Sequence, residues 1–167
     1  MSDSLLGEKV KKTNVGVSRM VIAKNPEILT TSVGSCVAIV VYNKKTCIGG
    51  LVHVLLSNSQ GRNDCPGKYA DTAVPEVLKL LKAEIESPYA VFEAKIAGGA
   101  NMFGFDPNGP NGRIGDKNVE GVIEALKKAE VNIIAEDIGG KSGRTVHFYL
   151  ETGKVEILVG GKITKIL

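Results

Sequence analysis

The side chains of this sequence that are best suited to covalent chemistry are three cysteines and two histidines. The cysteines are Cys36, Cys47 and Cys65, and the histidines are His53 and His147. A free thiol is mostly protonated at neutral pH, so it needs a neighbouring imidazole that takes its proton and later returns it to a leaving group. The sequence is therefore equipped for cysteine-based hydrolysis if the fold brings a thiol and an imidazole together.

Cys36 and His53 have the most favourable placement for such a pair. Cys36 opens the apolar run CVAIVVY, which predicts a strand buried on both faces, and Gly34 lets the chain turn tightly before it. Backbone N–H groups at such a turn are natural donors to an oxyanion. A turn centred on Lys44-Lys45 predicts a hairpin in which His53, on the second strand, comes close to the level of Cys36.

A third group usually orients the imidazole of a catalytic pair, and it need not be a carboxylate. Hydroxyl groups just upstream of Cys36 are the candidates, and they belong to Thr30, Thr31 and Ser32. Purely structural roles stay open at this point. A cysteine that opens an apolar strand is usually a small core residue, and a histidine within an apolar strand is often structural.

The other chemistry-bearing residues have weaker patterns. Cys47 lies beside a turn, Cys65 lies in a polar loop, and His147 lies in a late strand with no cysteine predicted nearby. No cofactor or metal site is predicted, because the cysteines and histidines lack zinc-ligand spacing. The run Gly140-Lys141-Ser142 is similar to the end of a phosphate-binding loop, but Ala135 stands where that motif requires glycine.

Composition limits the class of protein. The chain has 167 residues, of which 43% are hydrophobic and 23% charged, with a formal net charge of +3. These values favour an ordered globular domain and argue against nucleic-acid binding. No apolar run is long enough for a signal peptide or a membrane span. We therefore expect a cytoplasmic protein with reduced thiols, in which residues 1–13 are flexible and residues 14–167 form a single catalytic domain.

Periodicity predicts an α+β fold with helices packed on largely antiparallel sheets. Two helices follow from apolar stripes at helical spacing: one carries Val74, Val77, Leu78, Leu81 and Ile85, and the other begins near Asp116. The predicted strands are Val15–Ala23, Ile28–Ser32, Cys36–Tyr42, Ile48–Leu56, Tyr89–Ala97, Val131–Ile138, Thr145–Leu150, Val155–Val159 and Ile163–Leu167. Long polar loops are predicted at residues 57–68 and 100–113.

Six segments in this order resemble the chemoreceptor glutamine deamidases called CheD, over almost the whole chain after residue 14. The segments are TTSVGSCVA (30–38), IGGLVHVLL (48–56), KYADTAVP (68–75), AKIAGGANMF (94–103), IGDKN (114–118) and DIGGKSGR (137–144). A lone GSC would be a weak signal, but the ordered set is specific. The chain departs from the family pattern in having Lys117, where Arg is frequent, and Ala97, where a larger residue is common.

The resemblance implies a three-layer α/β sandwich, mostly antiparallel and similar to the bacterial toxin deamidases. It also implies a catalytic set formed by Cys36, His53 and Thr30. Ser35 and Gly34, next to the nucleophile, are then expected at the oxyanion and substrate. The resemblance implies no cofactor.

The resemblance further implies that specific glutamines on the cytoplasmic helices of chemotaxis receptors are converted to glutamate, with release of ammonia from a cysteine thioester. A CheC-type phosphatase is the second expected partner, and a monomer the expected state. Two other functions stay open. The chain could be a non-catalytic adaptor that binds CheC or receptors, or another cysteine hydrolase such as a receptor methylesterase.

Overall fold

The computed structural model describes residues 9–102, 108–109 and 112–167. Ten strands and two α-helices occur in this part of the chain. In chain order they are β1 (Lys12–Asn14), β2 (Met20–Lys24), β3 (Ile28–Val33), β4 (Val37–Asn43), β5 (Ile48–Val54), α1 (Ala70–Ile85), β6 (Glu93–Gly98), α2 (Ile114–Lys128), β7 (Asn132–Ile138), β8 (Arg144–Tyr149), β9 (Val155–Val159) and β10 (Lys162–Ile166). A short 3-10 helix, Pro66–Lys68, precedes α1.

The strands form two five-stranded sheets. The order is β1-β3-β8-β9-β10 in the first sheet and β2-β5-β4-β6-β7 in the second. The pairs β1–β3 and β6–β7 are parallel, and the other pairs among the described strands are antiparallel. The predicted α+β class with largely antiparallel sheets is confirmed.

Two cores hold these elements in three layers. The helices pack on one face of the second sheet, and Val77, Leu81 and Leu126 are among the fully buried side chains there. The first sheet packs on the opposite face, where Leu29, Val146 and Phe148 are buried between the sheets. The central strand β4 is buried on both faces, as its continuous apolar sequence predicts.

The hairpin of β4 and β5 differs from its predicted register by two residues. Ala38 lies opposite His53 and Asn43 lies opposite Ile48, so the turn is centred one residue later than Lys44-Lys45. The Asn43 carboxamide oxygen accepts hydrogen bonds from the backbone N–H and the hydroxyl of Thr46, which stabilises this later turn. Because side chains alternate between faces, a shift of two does not change which residues of the two strands share a face.

The two helices begin at Ala70 and at Ile114, and the second start is two residues before the predicted Asp116. Helix α1 starts at Ala70, so Asp71 lies in its first turn and is not its cap, and Pro75 lies within the helix. The Asp71 carboxylate instead accepts hydrogen bonds from the backbone N–H and hydroxyl of Ser59, which ties the polar loop after β5 to the helix. Helix α2 starts at Ile114. No helix in the described ranges is long and apolar enough to cross a membrane.

The N-terminal region contributes one more strand than was predicted. Residues 1–8 of the segment expected to be flexible lie outside the described residues, but Lys12–Asn14 pair with Ile28–Thr30 as β1. In the predicted loop 100–113, residues 103–107 and 110–111 also lie outside the description. The predicted domain limits and the likeness to toxin deamidases stay predictions.

Candidate active site

The start of β4 and the end of β5 place Cys36 and His53 on the same side of the second sheet. Ala38, two residues after Cys36, belongs to the core between the sheets, as does Leu51, two residues before His53. If the β4–β5 register is continued, Cys36 lies opposite Leu55 and is a diagonal neighbour of His53. Diagonal neighbours on one face are about 7–8 Å apart, within reach of long side chains. The two side chains therefore lie on one face of the sheet, near the same end of the predicted hairpin.

His53 is held by a hydroxyl from the first sheet. Its side chain is buried, and its Nδ1 lies 2.8 Å from the Thr31 hydroxyl oxygen. That hydroxyl donates its single proton to the Val15 carbonyl oxygen, 2.6 Å away. Because the Thr31 hydroxyl proton is used in this way, the Thr31 oxygen can only accept a hydrogen bond from the Nδ1–H group of His53. The neutral imidazole therefore carries its proton on Nδ1 and a free lone pair on Nε2.

The second ring nitrogen of His53 has no partner in the described part of the chain. Nε2 is buried and makes no hydrogen bond there. An unpaired polar atom in such a place costs free energy, of the order of 1–3 kcal/mol, and such atoms in native proteins often have a functional role. An imidazole with a fixed tautomer and an open Nε2 is equipped to act as a base.

A segment between β1 and β2 covers the same histidine from the edge of the sheet. The backbone N–H of Ser18 donates to the His53 carbonyl at 2.9 Å, and the His53 N–H donates to the Arg19 carbonyl at 3.0 Å. Together with the Val15 contact to Thr31, these bonds fix both the backbone and the ring. The site is therefore built from the β4–β5 hairpin, from β3 and from the segment before β2.

Burial keeps both members of the pair neutral. The Cys36 side chain is half-buried against the core between the sheets, and this burial raises the pKa of its thiol from the ordinary value of 9.0, although the backbone N–H of Cys36 opposes the shift. Burial lowers the pKa of His53 from 6.5, with the Val15 backbone opposing. At neutral pH the thiol and the imidazole are therefore both neutral, so an attack by this sulfur would require its proton to move to a base.

The residues before Cys36 form a turn in which successive carbonyl groups are held. The Gly34 carbonyl accepts a hydrogen bond from the Ala100 N–H at 2.9 Å, and the Ser35 carbonyl accepts one from the Asn118 carboxamide at 3.0 Å. Gly34 has no room for a side chain, because a Cβ there would overlap the sulfur of Met102. Gly34 and Ser35 thus shape the loop through their backbones, and their expected place at an oxyanion site stays a prediction.

Thr31, and not Thr30, is hydrogen bonded to the imidazole of His53 in the described structure. In β3 the side chains of Leu29, Thr31 and Val33 are buried, whereas Thr30 lies on the opposite face and pairs in register with His147. Among the described residues the hydrogen bond to His53 comes from Thr31, and the expected catalytic role of Thr30 stays a prediction. The alternation of Leu29, Thr31 and Val33 is a sequence signal that would have selected Thr31.

The other two cysteines lie away from this arrangement. Cys47 is in the turn after β4, where its thiol donates to the Glu151 carbonyl, and Cys65 donates to the Ser18 carbonyl. All three cysteines are free. Across residues 9–102, 108–109 and 112–167, no three His, Cys, Asp or Glu side chains are grouped to hold a metal ion.

Two contributors escaped the sequence patterns. Val15 acts through its backbone carbonyl, which no side-chain pattern reports. Asn118, near the start of α2, is buried and contacts the nucleophile loop through its carboxamide. A polar residue on the apolar stripe beside Val119 and Val122 was the available signal for this residue.

The chain is similar to proteins of one known family. Residues 55–158 match the family model described as CheD chemotactic sensory transduction, a match that begins just after His53. Relatives extend the similarity to the rest of the chain. A Thermotoga maritima protein named "Chemoreceptor glutamine deamidase CheD" is 43% identical over 155 residues, covering 90% of this chain and 94% of the relative.

Archaeal and clostridial relatives give the same result. A Methanococcus vannielii protein named "Probable chemoreceptor glutamine deamidase CheD" is 42% identical over 159 residues, covering 95% of this chain and 98% of its own. A Clostridium botulinum protein with the same name is 38% identical over 159 residues, covering 93% and 98%. The family match and these near-complete alignments lead to one conclusion: this chain belongs to the CheD family.

Proposed function

We propose that this chain is a protein-glutamine deamidase that converts glutamine side chains of chemotaxis receptors to glutamate. The family and the names of its relatives support the reaction and the substrate. The observation that carries the chemistry is the buried His53, whose Nδ1 is held by Thr31 and whose Nε2 is open on the face shared with Cys36. Cys36 is the nucleophile, His53 the general base and acid, and Thr31 the residue that orients the imidazole.

In the first half-reaction the Cys36 sulfur attacks the carboxamide carbon while its proton moves to His53 Nε2. The electron pair of the carbonyl moves to oxygen, which backbone N–H groups near Ser35 and Cys36 stabilise. When the intermediate collapses, the carbon–nitrogen bond breaks and the proton on Nε2 goes to the departing nitrogen. Ammonia leaves, and a thioester to Cys36 remains.

In the second half-reaction a water molecule attacks the thioester carbon and gives a proton to Nε2. Collapse of this intermediate breaks the carbon–sulfur bond, and Cys36 recovers its proton from His53. The balance is one water consumed, one ammonia released and one glutamate formed. Because both groups start neutral, His53 has to act as a base during the attack, unlike the partner of a preformed thiolate.

A helical substrate suits this chemistry. The backbone amides within a helix are held in hydrogen bonds, so the carboxamides that a receptor helix offers to a thiol are those of its side chains. Deamidation places one new negative charge on the helix, which changes helix packing and therefore signalling. Family membership is also the ground for two further proposals: a CheC-type phosphatase as a binding partner, and action as a cytoplasmic monomer.

The test is ammonia release from a receptor cytoplasmic fragment, with mass spectrometry to locate the modified glutamine. We expect release by wild type and by the matched controls Cys47→Ala and Cys65→Ala, and none by Cys36→Ala. Receptor that binds without releasing ammonia would favour the adaptor, and methanol release from methylated receptor would favour the esterase. Ammonia release by Cys36→Ala at the wild-type rate would refute the assignment of the nucleophile.

A further inference from the structure

In the loop that carries the proposed nucleophile, three successive carbonyl groups accept hydrogen bonds from residues outside the loop. The Gly34 carbonyl accepts from Ala100 N–H at 2.9 Å, and the Cys36 carbonyl accepts from Gly99 N–H at 2.8 Å. Between them, the Ser35 carbonyl accepts from a side chain, the Asn118 carboxamide, at 3.0 Å. The middle peptide of the loop is thus held by a group that a single substitution can remove.

Asn118 is well placed to fix this peptide. Its side chain is 1% exposed, and the same carboxamide nitrogen also donates to the Leu55 carbonyl at 3.0 Å. Both N–H protons of the carboxamide are therefore in hydrogen bonds, one to a carbonyl in the loop before β4 and one to a carbonyl just after β5. The helix comes close enough because Gly115 has no Cβ, which would overlap the Gly99 carbonyl and lie 2.7 Å from the Ala100 oxygen.

The geometry of the peptide bond gives this contact a chemical consequence. In a trans peptide the C=O of one residue and the N–H of the next point in opposite directions. Holding the Ser35 carbonyl toward Asn118 therefore aims the Cys36 N–H away from helix α2. Among the described residues this N–H has no backbone carbonyl as partner. A nucleophile's own N–H with no backbone carbonyl as partner is a suitable donor to the oxyanion that forms on the attacked carbon.

We propose that Asn118 is a positioning residue that aims the backbone N–H of Cys36 at the oxyanion of the tetrahedral intermediates. This inference rests on the proposed function, because it concerns the same reaction. Asn118 does not touch the substrate and does not exchange protons. It acts through the Ser35 peptide, and its second contact ties the same peptide to the strand that ends just beyond His53.

The test compares two reactions of the same thiol. Deamidation passes through an oxyanion, whereas alkylation of Cys36 by iodoacetamide displaces iodide from a saturated carbon and forms none. Removal of one oxyanion donor costs about 100- to 1000-fold in kcat, so its misalignment in Asn118→Ala should cost at least about 30-fold, with KM little changed. The alkylation rate of Cys36, followed by mass spectrometry of its peptide, should stay within about 3-fold of wild type at each pH.

A matched control lies at the other end of β4. Asn43 is 5% exposed, and its carboxamide also donates to a backbone carbonyl, that of Val91, at 2.9 Å. Asn43→Ala should lower the thermal midpoint yet leave kcat and the alkylation rate unchanged. If Asn118→Ala does not fold, Asn118→Ser, which keeps one donor, carries the comparison and should show a smaller loss in kcat.

Each outcome decides the inference. A kcat within about 3-fold of wild type in the Asn118 variant overturns it, since a misaligned donor costs more than that. Alkylation that slows in parallel with kcat also overturns it, because the defect then lies in the thiol or in His53. Wild type that releases no ammonia overturns the proposed function and this inference with it, whereas an active wild type with an unaffected variant overturns the inference alone.

Discussion

Two threonine–histidine neighbours lie on opposite faces of β3, and they behave differently. On the inner face Thr31 is hydrogen bonded to His53 between the sheets. On the outer face Thr30 pairs in register with His147. His147 faces Glu156 at 3.9 Å, and burial and Lys12 lower its pKa while Glu156 opposes the shift.

The difference lies in what surrounds each imidazole. The outer histidine belongs to a polar group in which Glu156 also accepts hydrogen bonds from Tyr149 and Lys154. The inner histidine has apolar neighbours, a fixed tautomer and one nitrogen without a partner in the described structure. The same two residue types therefore give a paired polar cluster on one face and an imidazole with an open nitrogen on the other. Burial and unsatisfied hydrogen bonding, more than residue type, separate the two.

The largest expected contrast comes from replacing each histidine. His53→Gln should lower kcat by about 1000-fold, because general acid–base catalysis contributes about 100- to 10,000-fold. His147→Gln should change kcat by less than about 2-fold, because it lies on the other face of the sheet. Ammonia release from the receptor fragment measures both variants. Equal losses in the two would refute the assignment of the base to His53.

The second contrast separates the two threonines. Thr31→Val removes the acceptor of the Nδ1 proton and frees the tautomer, so kcat should fall about 10- to 100-fold, as for other residues that orient a catalytic histidine. Thr30→Val makes the same change of shape on the outer face, and its kcat should fall by less than about 3-fold. Thr31→Ser restores the hydroxyl and should recover most of the rate. A larger loss in Thr30→Val than in Thr31→Val would return the orienting role to Thr30.

The third contrast uses pH. Burial lowers the pKa of His53 below its ordinary 6.5, so the neutral base persists into mildly acidic solution. Activity should be retained as the pH falls to 6.5 and should be lost as it falls through the lowered pKa. The acidic limb of kcat/KM against pH measures this, with circular dichroism to confirm that the fold survives. An inflection above 6.5 would mean that the imidazole is not shielded as the structure indicates.

The smallest contrast concerns the outer polar cluster. Glu156→Gln weakens the contacts to Lys154 and His147, which are partly exposed, so the free energy of unfolding should fall by less than about 1 kcal/mol. Deamidase activity should not change. Urea denaturation together with the ammonia assay tests both statements. A clear loss of kcat at unchanged stability would show that the outer face takes part in catalysis or substrate binding.

Local patterns were sufficient for much of the fold and for the hairpin that carries Cys36 and His53. The apolar runs around these two residues predicted two adjacent strands, and the hairpin forms with an error of two residues in register. Alternation within β3 also indicates Thr31 and not Thr30 as the residue that faces the core. Of the two, only Thr31 lies on the same face as the buried Leu29 and Val33. That choice required reading the strand as half-buried, not only as extended.

Contacts between distant segments could not be predicted in the same way. The Val15 carbonyl reaches Thr31 only after β1 pairs with β3 and the two sheets pack. Asn118 reaches Ser35 and Leu55 from a helix that lies 83 and 63 residues away in sequence. Backbone carbonyl groups and a buried carboxamide leave little trace in periodicity, so the residues that orient the site were found only in three dimensions.

The long sequence separation within the first sheet sets an order of assembly for the enzyme. Strand β3 is paired only with β1 and β8 in the described sheet, and Ser32 and Thr145, which contact each other across β3 and β8, are 113 residues apart. During synthesis the hairpin bearing Cys36 and His53 emerges first, whereas the sheet that presents Thr31 closes only after β8 is made. A chain that ends before Arg144 would hold every proposed catalytic side chain, but its strand β3 would lack the pairing with β8. We therefore expect full hydrolytic activity only once β8 has paired with β3.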